Sequence, residues 1–332
     1  MNTSQLLRAA ALCLGSLSLA AAAITAELNV PREGWASWEV PAVEEAPDWC
    51  CYSASGARQP CALDDQGHGY SSRDDATTDT VRVYARFTDG KIDRLHTLAA
   101  TCPVESDTQI QEISGVSADE SARWLISLVD GRDLDTHRHD RIANDASTAL
   151  AIHRGDVAHD SLVEIARGDT RTEFRKHALF LLAHLRGLQG AGVATAMMFD
   201  DPDANIREHA AFAVSQSKST HADTDLIRAA TTDSSAKVRK HAWFSLALTK
   251  SLKTEAAIDA ALRKETNSDV REHAIFALSQ LPSDRATRAL IKVAENKALG
   301  REERKRAMFW LSQSDSSAAQ AYLERILARA PQ

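Results

Sequence analysis

From about residue 143 onward, apolar residues recur at helical spacing, and whole blocks recur with them. His177, His209, His241 and His273 stand 32 residues apart within RKHALFLLAHL, REHAAFAVSQS, RKHAWFSLALT and REHAIFALSQL, and RKRAMFWLSQS follows after 33. A worn copy, NDASTALAIH, precedes them near Ala146. Each copy joins a weaker helix to a strong one, as DTDLIRAAT precedes AKVRKHAWFSLAL, with Asp, Ser, Pro or Gly between them. The pattern predicts about six helical hairpins, none able to bury its apolar stripe alone, so stacking must supply the core. A last helix, residues 317–330, carries Glu and Arg on one face and is expected to cap the open end.

Counting each strong helix from its first apolar residue puts Phe174, Ile206, Val238 and Val270 at position zero, with polar Glu303 in the last copy. At about 100° per residue, positions zero, four and eight share one face. That face holds Ala178 and Leu182, Ala210 and Val214, Ala242 and Leu246, and Ala274 and Leu278, and is the predicted core. The recurrent Ala fits helix axes about 8 to 10 Å apart. Position one is always Arg (Arg175, Arg207, Arg239, Arg271, Arg304), and an acid stands five residues before position zero in four copies (Asp169, Asp201, Asp233, Glu265). Because the acids share the period of the Arg, these residues predict a ladder of charge-assisted hydrogen bonds between repeats and not an anion-binding row.

Position two alternates in sign (Lys176, Glu208, Lys240, Glu272, Lys305) and cancels its own charge. Position six is Phe throughout (Phe180, Phe212, Phe244, Phe276, Phe309), about 150° from the core centre. That row has two readings: rings buried between adjacent second helices, or a partly exposed aromatic strip on which a peptide or helix docks. On the second reading Phe212, Phe244 and Phe276 are the main anchors. Gln216, Gln280 and Gln313 at position ten, with His209, His241 and His273, are then the polar contacts.

The first half of the chain is different in kind, with Trp35, Trp38, Trp49 and clustered cysteines. Residues 81–87 and 92–98 alternate like strands around Thr88-Asp89-Gly90 and predict a hairpin. Residues 109–114 add a further strand, and Ser117 with Glu120 forms a capping box ahead of ARWLISLV, where a helix should begin. Residues 65–79 read as a mobile polar loop, and GRDLDTHRHD, residues 131–140, as a junction. The predicted organisation is a signal peptide over 1–26, a small α+β module with disulfides over 27–130, and a repeat array over 141–332.

Composition adds little: a net charge of −7 with no basic stretch argues against nucleic acid. Arg8 followed by an apolar run from Ala9 to Ala23, with small residues near Ala26, reads as a cleaved signal peptide, too short and alanine-rich for a membrane span. A periplasmic or secreted location follows, and Leu12 before Cys13 disfavours lipid attachment. Cleavage leaves Cys50, Cys51, Cys61 and Cys102 for two disulfides in an oxidising compartment. Vicinal cysteines seldom pair with each other, so Cys50 and Cys51 are each expected to join one of Cys61 and Cys102. A zinc site would call for the paired C-x-x-C spacing that the chain lacks.

Val or Ile, then Arg, two residues and Ala, as in NSDVREHAIFALSQL and more loosely in REERKRAMFWLSQS, resembles HEAT repeats, particularly the short bacterial kind of phycobilisome lyases. The resemblance covers nearly half the chain. It implies a mainly α fold, an α-α superhelix (HEAT-like solenoid), here preceded by the small α+β disulfide-containing module. It is similar to secreted bacterial HEAT proteins, which implies a scaffold docking a protein partner on its inner surface, with no cofactor, metal or catalytic residue. The alternatives are a spacer and a metal-dependent oxidoreductase resembling deoxyhypusine hydroxylase, whose His-Glu pairs hold two irons. This chain departs from that pattern: Glu208-His209 and Glu272-His273 run in the opposite order, two repeats and about 20 Å apart. Lys176-His177 and Lys240-His241 occupy the copies beside them. Asp135, His137, His139 and Asp140 read as solvated linker, and no nucleophile elbow, phosphate loop or H-E-x-x-H is present. Protonation of the His row near pH 6 is expected to tune any contact it makes.

Overall fold

The computed structural model describes residues 28–65, 71, 76–130 and 136–328. The expected signal peptide with Cys13, most of the 65–79 loop, and Asp135 lie outside the described residues, as do the side chains of His137 and His139. The strands in chain order are β1 (Gly34–Pro47), β2 (Cys51–Tyr52), β3 (Arg58–Gln59), β4 (Cys61–Ala62), β5 (Thr77–Thr88), β6 (Lys91–Ala99), β7 (Val104–Glu105) and β8 (Ile110–Glu112). Four of them form a sheet in the order β6-β5-β1-β8. The expected hairpin is β5 and β6, with Thr88 opposite Lys91 and a two-residue turn in which Asp89 (φ 55°) and Gly90 (φ 76°) are left-handed. The third predicted strand is β8, parallel to β1. β5 already begins at Thr77, inside the stretch expected to be loop.

The sheet is covered on both sides. Trp38, Val40, Val83 and Ala85 face the helices, while Trp35, Tyr84 and Leu98 lie under a cover of short strands closed by Cys50–Cys102 and Cys51–Cys61. Each vicinal cysteine thus joins one of the two distant ones, as expected. Asp64 pins the cover to the sheet, accepting from the Trp35 indole (3.1 Å), Arg86 (3.1 Å), Ser106 (2.9 Å) and the Asp107 N–H (2.8 Å). Burial would raise its carboxyl, but these donors outweigh that and hold it at about 2.

Thirteen helices follow among the described residues. They are α1 (Ala118–Asp130), α2 (Thr136–Ile152), α3 (Asp156–Gly168), α4 (Thr172–Leu185), α5 (Gly187–Asp200), α6 (Ala204–Ser215), α7 (Ala222–Thr232), α8 (Ala236–Leu248), α9 (Thr254–Leu262), α10 (Ser268–Ser279), α11 (Ser283–Glu295), α12 (Arg301–Ser312) and α13 (Ser317–Leu327). The capping box opens α1: the Ser117 N–H donates to Glu120 (2.9 Å) and the Glu120 N–H to Ser117 Oγ (3.2 Å). α2 begins at Thr136, within the stretch read as junction, and packs on α1, α4 and β6. The described helices thus form six antiparallel pairs and a terminal α13, and one continuous apolar core runs from the sheet to Tyr322.

All the predicted core positions are buried, Ala178, Ala210, Ala242 and Ala274 among them. Close approach is most severe between α4 and α5, where a Cβ on Gly190 would meet the Leu182 carbonyl oxygen at 1.8 Å. From α4 to α12 the second helices pack against each other throughout, whereas the first helices barely touch, so the stack curves with the second helices inside.

The charge ladder forms as the periodicity predicts. Arg175 pairs with Asp201, Arg207 with Asp233 (2.8 and 3.0 Å), and Arg239 with Glu265 (2.8 and 3.1 Å). Each Arg reaches the loop acid of the next repeat, and Arg207 and Arg239 also donate to a carbonyl of their own loop at 2.9 Å. The last loop has no such acid. Buried Glu303 supplies it, accepting from Arg271 at 2.6 Å, which is why a polar residue occupies position zero there.

Candidate partner-binding face

The inner face is made by the sides of α4, α6, α8, α10 and α12 that point away from their first-helix partners. Positions zero, four, five, seven and eight of these helices take the buried arc almost throughout, which leaves position six at its opposite pole. The Phe row stands there, and its rings pack chiefly on one another. Phe180 and Phe212 stack with centroids 6.0 Å apart, and Phe244 and Phe276 at 5.9 Å, both pairs nearly parallel. Four of the rings are half-buried and Phe309 is 47% exposed. The rings are not sunk between adjacent second helices; they form a partly exposed strip, the second of the two arrangements expected from the sequence. They form two stacked pairs on the surface, Phe180 with Phe212 and Phe244 with Phe276.

Two residues that the sequence reading left out join this row. His184 stacks on Phe180 at 5.5 Å, and Trp310 lies 5.0 Å from both Phe276 and Phe309. The available signal for Trp310 was its position, where the other copies carry Leu181, Ala213, Ser245 and Ala277, all buried. Gln216, Gln280 and Gln313 are exposed at the C-terminal ends of their helices, each amide donating to the preceding Ser, at 3.1, 3.0 and 3.4 Å.

The histidines share a repeat position but not an environment. His177 is half-buried beside Thr148 Oγ1 (3.3 Å), and His209 is half-buried with its ring 6.2 Å from Phe212. His241 is exposed and meets Glu208 at 2.7 Å, and His273 is exposed with Nδ1 2.8 Å from the Asp269 carbonyl. Burial lowers the pKa of His177, His209 and His241; Lys176 lowers His209 further, and Glu208 only partly offsets the effect at His241. Burial therefore disfavours the charged form of these three rings.

Four of the five alternating charges at position two are drawn into local pairs. Lys176 meets Glu173, Glu208 meets Lys237 and His241, Glu272 meets Arg306, and Lys305 meets Glu302. The face is therefore aromatic along its centre and self-neutralised at its margins. Among the described residues, the only group of three or more His, Cys, Asp or Glu donors within 4.8 Å of one another is Cys50, Cys61 and Cys102. Glu208 engages the His of the next repeat, and the His row does not converge. On the opposite side, a groove of about 540 Å³ between α7 and α9 is lined by Ile227, Ala230, Ala257, Ala261 and Lys264.

Residues 159–247 and 224–308 match the family model for HEAT repeats. No curated protein sequence matches the chain. Among solved structures, the complex of CpcE and CpcF of phycocyanin lyase from Nostoc is similar at 18% identity, over 47% of this chain and 97% of that one, with a TM-score of 0.36. Human deoxyhypusine hydroxylase is similar at 15% identity over 64% and 80%, with a TM-score of 0.34. YibA of Escherichia coli is similar at 18% over 62% and 77%, with a TM-score of 0.36.

Proposed function

The chain is a HEAT-like repeat protein, and from that premise we propose that it is an exported scaffold whose inner face docks an extended or helical segment of a protein partner. The observation that carries this reading is the aromatic row at the pole opposite the core, where a Phe ring recurs in five of the six helix pairs without being needed to fill the interior. Large, rigid rings at the centre of a face with polar margins are the usual anchors of protein interfaces. Export is supported by two disulfides, which persist in oxidising compartments, and no helix among the described residues is long and apolar enough to cross a membrane.

A photo-crosslinking residue at Phe244, with a second at Lys264 on the outer groove as control, tests the reading in a cell-envelope fraction. A discrete partner crosslinked from position 244 and absent from position 264 is expected. Equal labelling from both positions, or none from position 244, contradicts it.

A further inference from the structure

We propose that the pocket between the β1 bulge and the α4–α5 turn binds a carboxylate carried on a short aliphatic group, with Arg154 and Arg186 as its cationic partners. The pocket, of about 490 Å³, has apolar walls from Val43, Leu185 and Leu188, and both arginines line it. Leu188 is 70% exposed, a large apolar side chain left open beside two cations. Among the described residues, neither guanidinium meets a carboxylate. Arg186 spends its terminal nitrogens on main-chain carbonyls of the α2–α3 turn, Nη1 on His153 and Nη2 on Gly155 at 2.8 Å, and its Nε has no partner. Arg154 gives its Nε to the Ala42 carbonyl at 2.9 Å, which leaves Nη1 and Nη2 unspent.

Another part of the stack carries the partner that Arg186 lacks. α2, α3 and α5 succeed one another as α8, α9 and α11 do. Arg285, in the first turn of α11, caps the α8–α9 turn as Arg186 caps the α2–α3 turn, donating to the Lys250 and Ser251 carbonyls at 2.7 Å each. Arg285 also holds a carboxylate: Glu255, the second residue of α9, accepts from its Nε at 2.7 Å. The second residue of α3 is Val157, so the carboxylate is missing there. Burial pulls the Arg186 guanidinium below its ordinary range, and Asp156 and Asp160, which make no hydrogen bond to it, only partly oppose this. A bound carboxylate supplies from outside the charge-assisted partner that Glu255 gives Arg285. Arg154 adds further donors, and the aliphatic group rests on Val43, Leu185 and Leu188. Glu44 and Asp156 line the same pocket, which favours a ligand with one negative charge over a phosphate dianion.

The test uses the full chain with methyl-labelled leucine and valine. The Val43 and Leu188 methyl signals are followed as N-acetyl-leucine, its uncharged amide and isocaproate are added in separate titrations. Saturable shifts with the two acids and none with the amide are expected. Tighter binding of N-acetyl-leucine identifies the end of a peptide chain as the source of the carboxylate, and equal or weaker binding identifies a free acid. R154Q, which changes an exposed side chain, should weaken binding about 10-fold. V157E, which places a carboxylate where α9 has Glu255, should abolish it while the methyl signals of the distant repeats stay in place. No shift with either acid, equal shifts with N-acetyl-leucine and its amide, or binding undiminished in either variant overturns the proposal.

Discussion

His153 sits where the sheet meets the helices, fully buried, with Nε2 2.8 Å from Ser121 Oγ and Nδ1 2.6 Å from the Ala149 carbonyl. The carbonyl accepts, so Nδ1 carries the proton and Nε2 accepts from Ser121, whose oxygen also receives the Trp38 indole N–H at 2.8 Å. Burial pushes the imidazole down to about 4, the Ala149 carbonyl opposing. Between that value and the ordinary 6.5, the unfolded chain binds the extra proton. Stability is therefore complete above pH 6.5 and is lost as the pH falls toward 4, by about 3 kcal/mol. Urea unfolding at pH 7 and pH 4.5 should show a smaller acid loss in H153Q than in the wild type; equal losses would remove His153 from the account. This triad was not legible in the sequence, because its members lie 32 and 83 residues apart and are joined only when β1 meets α1 and α2. The Phe row was legible as an angle, while the stacking of its rings depends on the spacing between neighbouring helices, which no single repeat encodes.

Among the elements, the charge ladder was readable because Arg and acid recur with one period, and its last rung shows what the period could not say. Glu303 breaks the repeat pattern by sequence and completes the ladder in space. E303V, which restores the residue that two other copies carry there, should destabilise the protein by about 2 kcal/mol or more, since it leaves Arg271 partly buried without its carboxylate. A midpoint in thermal or urea unfolding equal to or above that of the wild type would contradict the ladder. β1 escaped the sequence reading for a different reason. Trp35, Ala36, Ser37 and Trp38 are all buried because the sheet is covered on both faces, so no alternation of apolar and polar residues marks the start of the strand. Its register breaks between Pro41 and Ala46, where Glu45 (φ 55°) reaches Lys218 in the loop after α6.

At the scale of the molecule, the disulfide-covered sheet and the helical stack share one apolar core, and the second helices line a curved inner surface with an aromatic spine. The helical array could be foreseen from its period alone, whereas the union with the sheet could not, because its contacts cross 112 residues, as between Arg154 and the Ala42 carbonyl (2.9 Å). Partner docking on this surface requires that the Phe rings serve the face and not the interior. The triple variant F212S/F244S/F276S, compared with the wild type by circular dichroism, thermal unfolding and affinity for the partner crosslinked at position 244, decides this. Retained helix content, a stability loss below about 3 kcal/mol and partner affinity reduced more than about 100-fold are predicted. Collapse of the helical signal, or undiminished affinity, would contradict it.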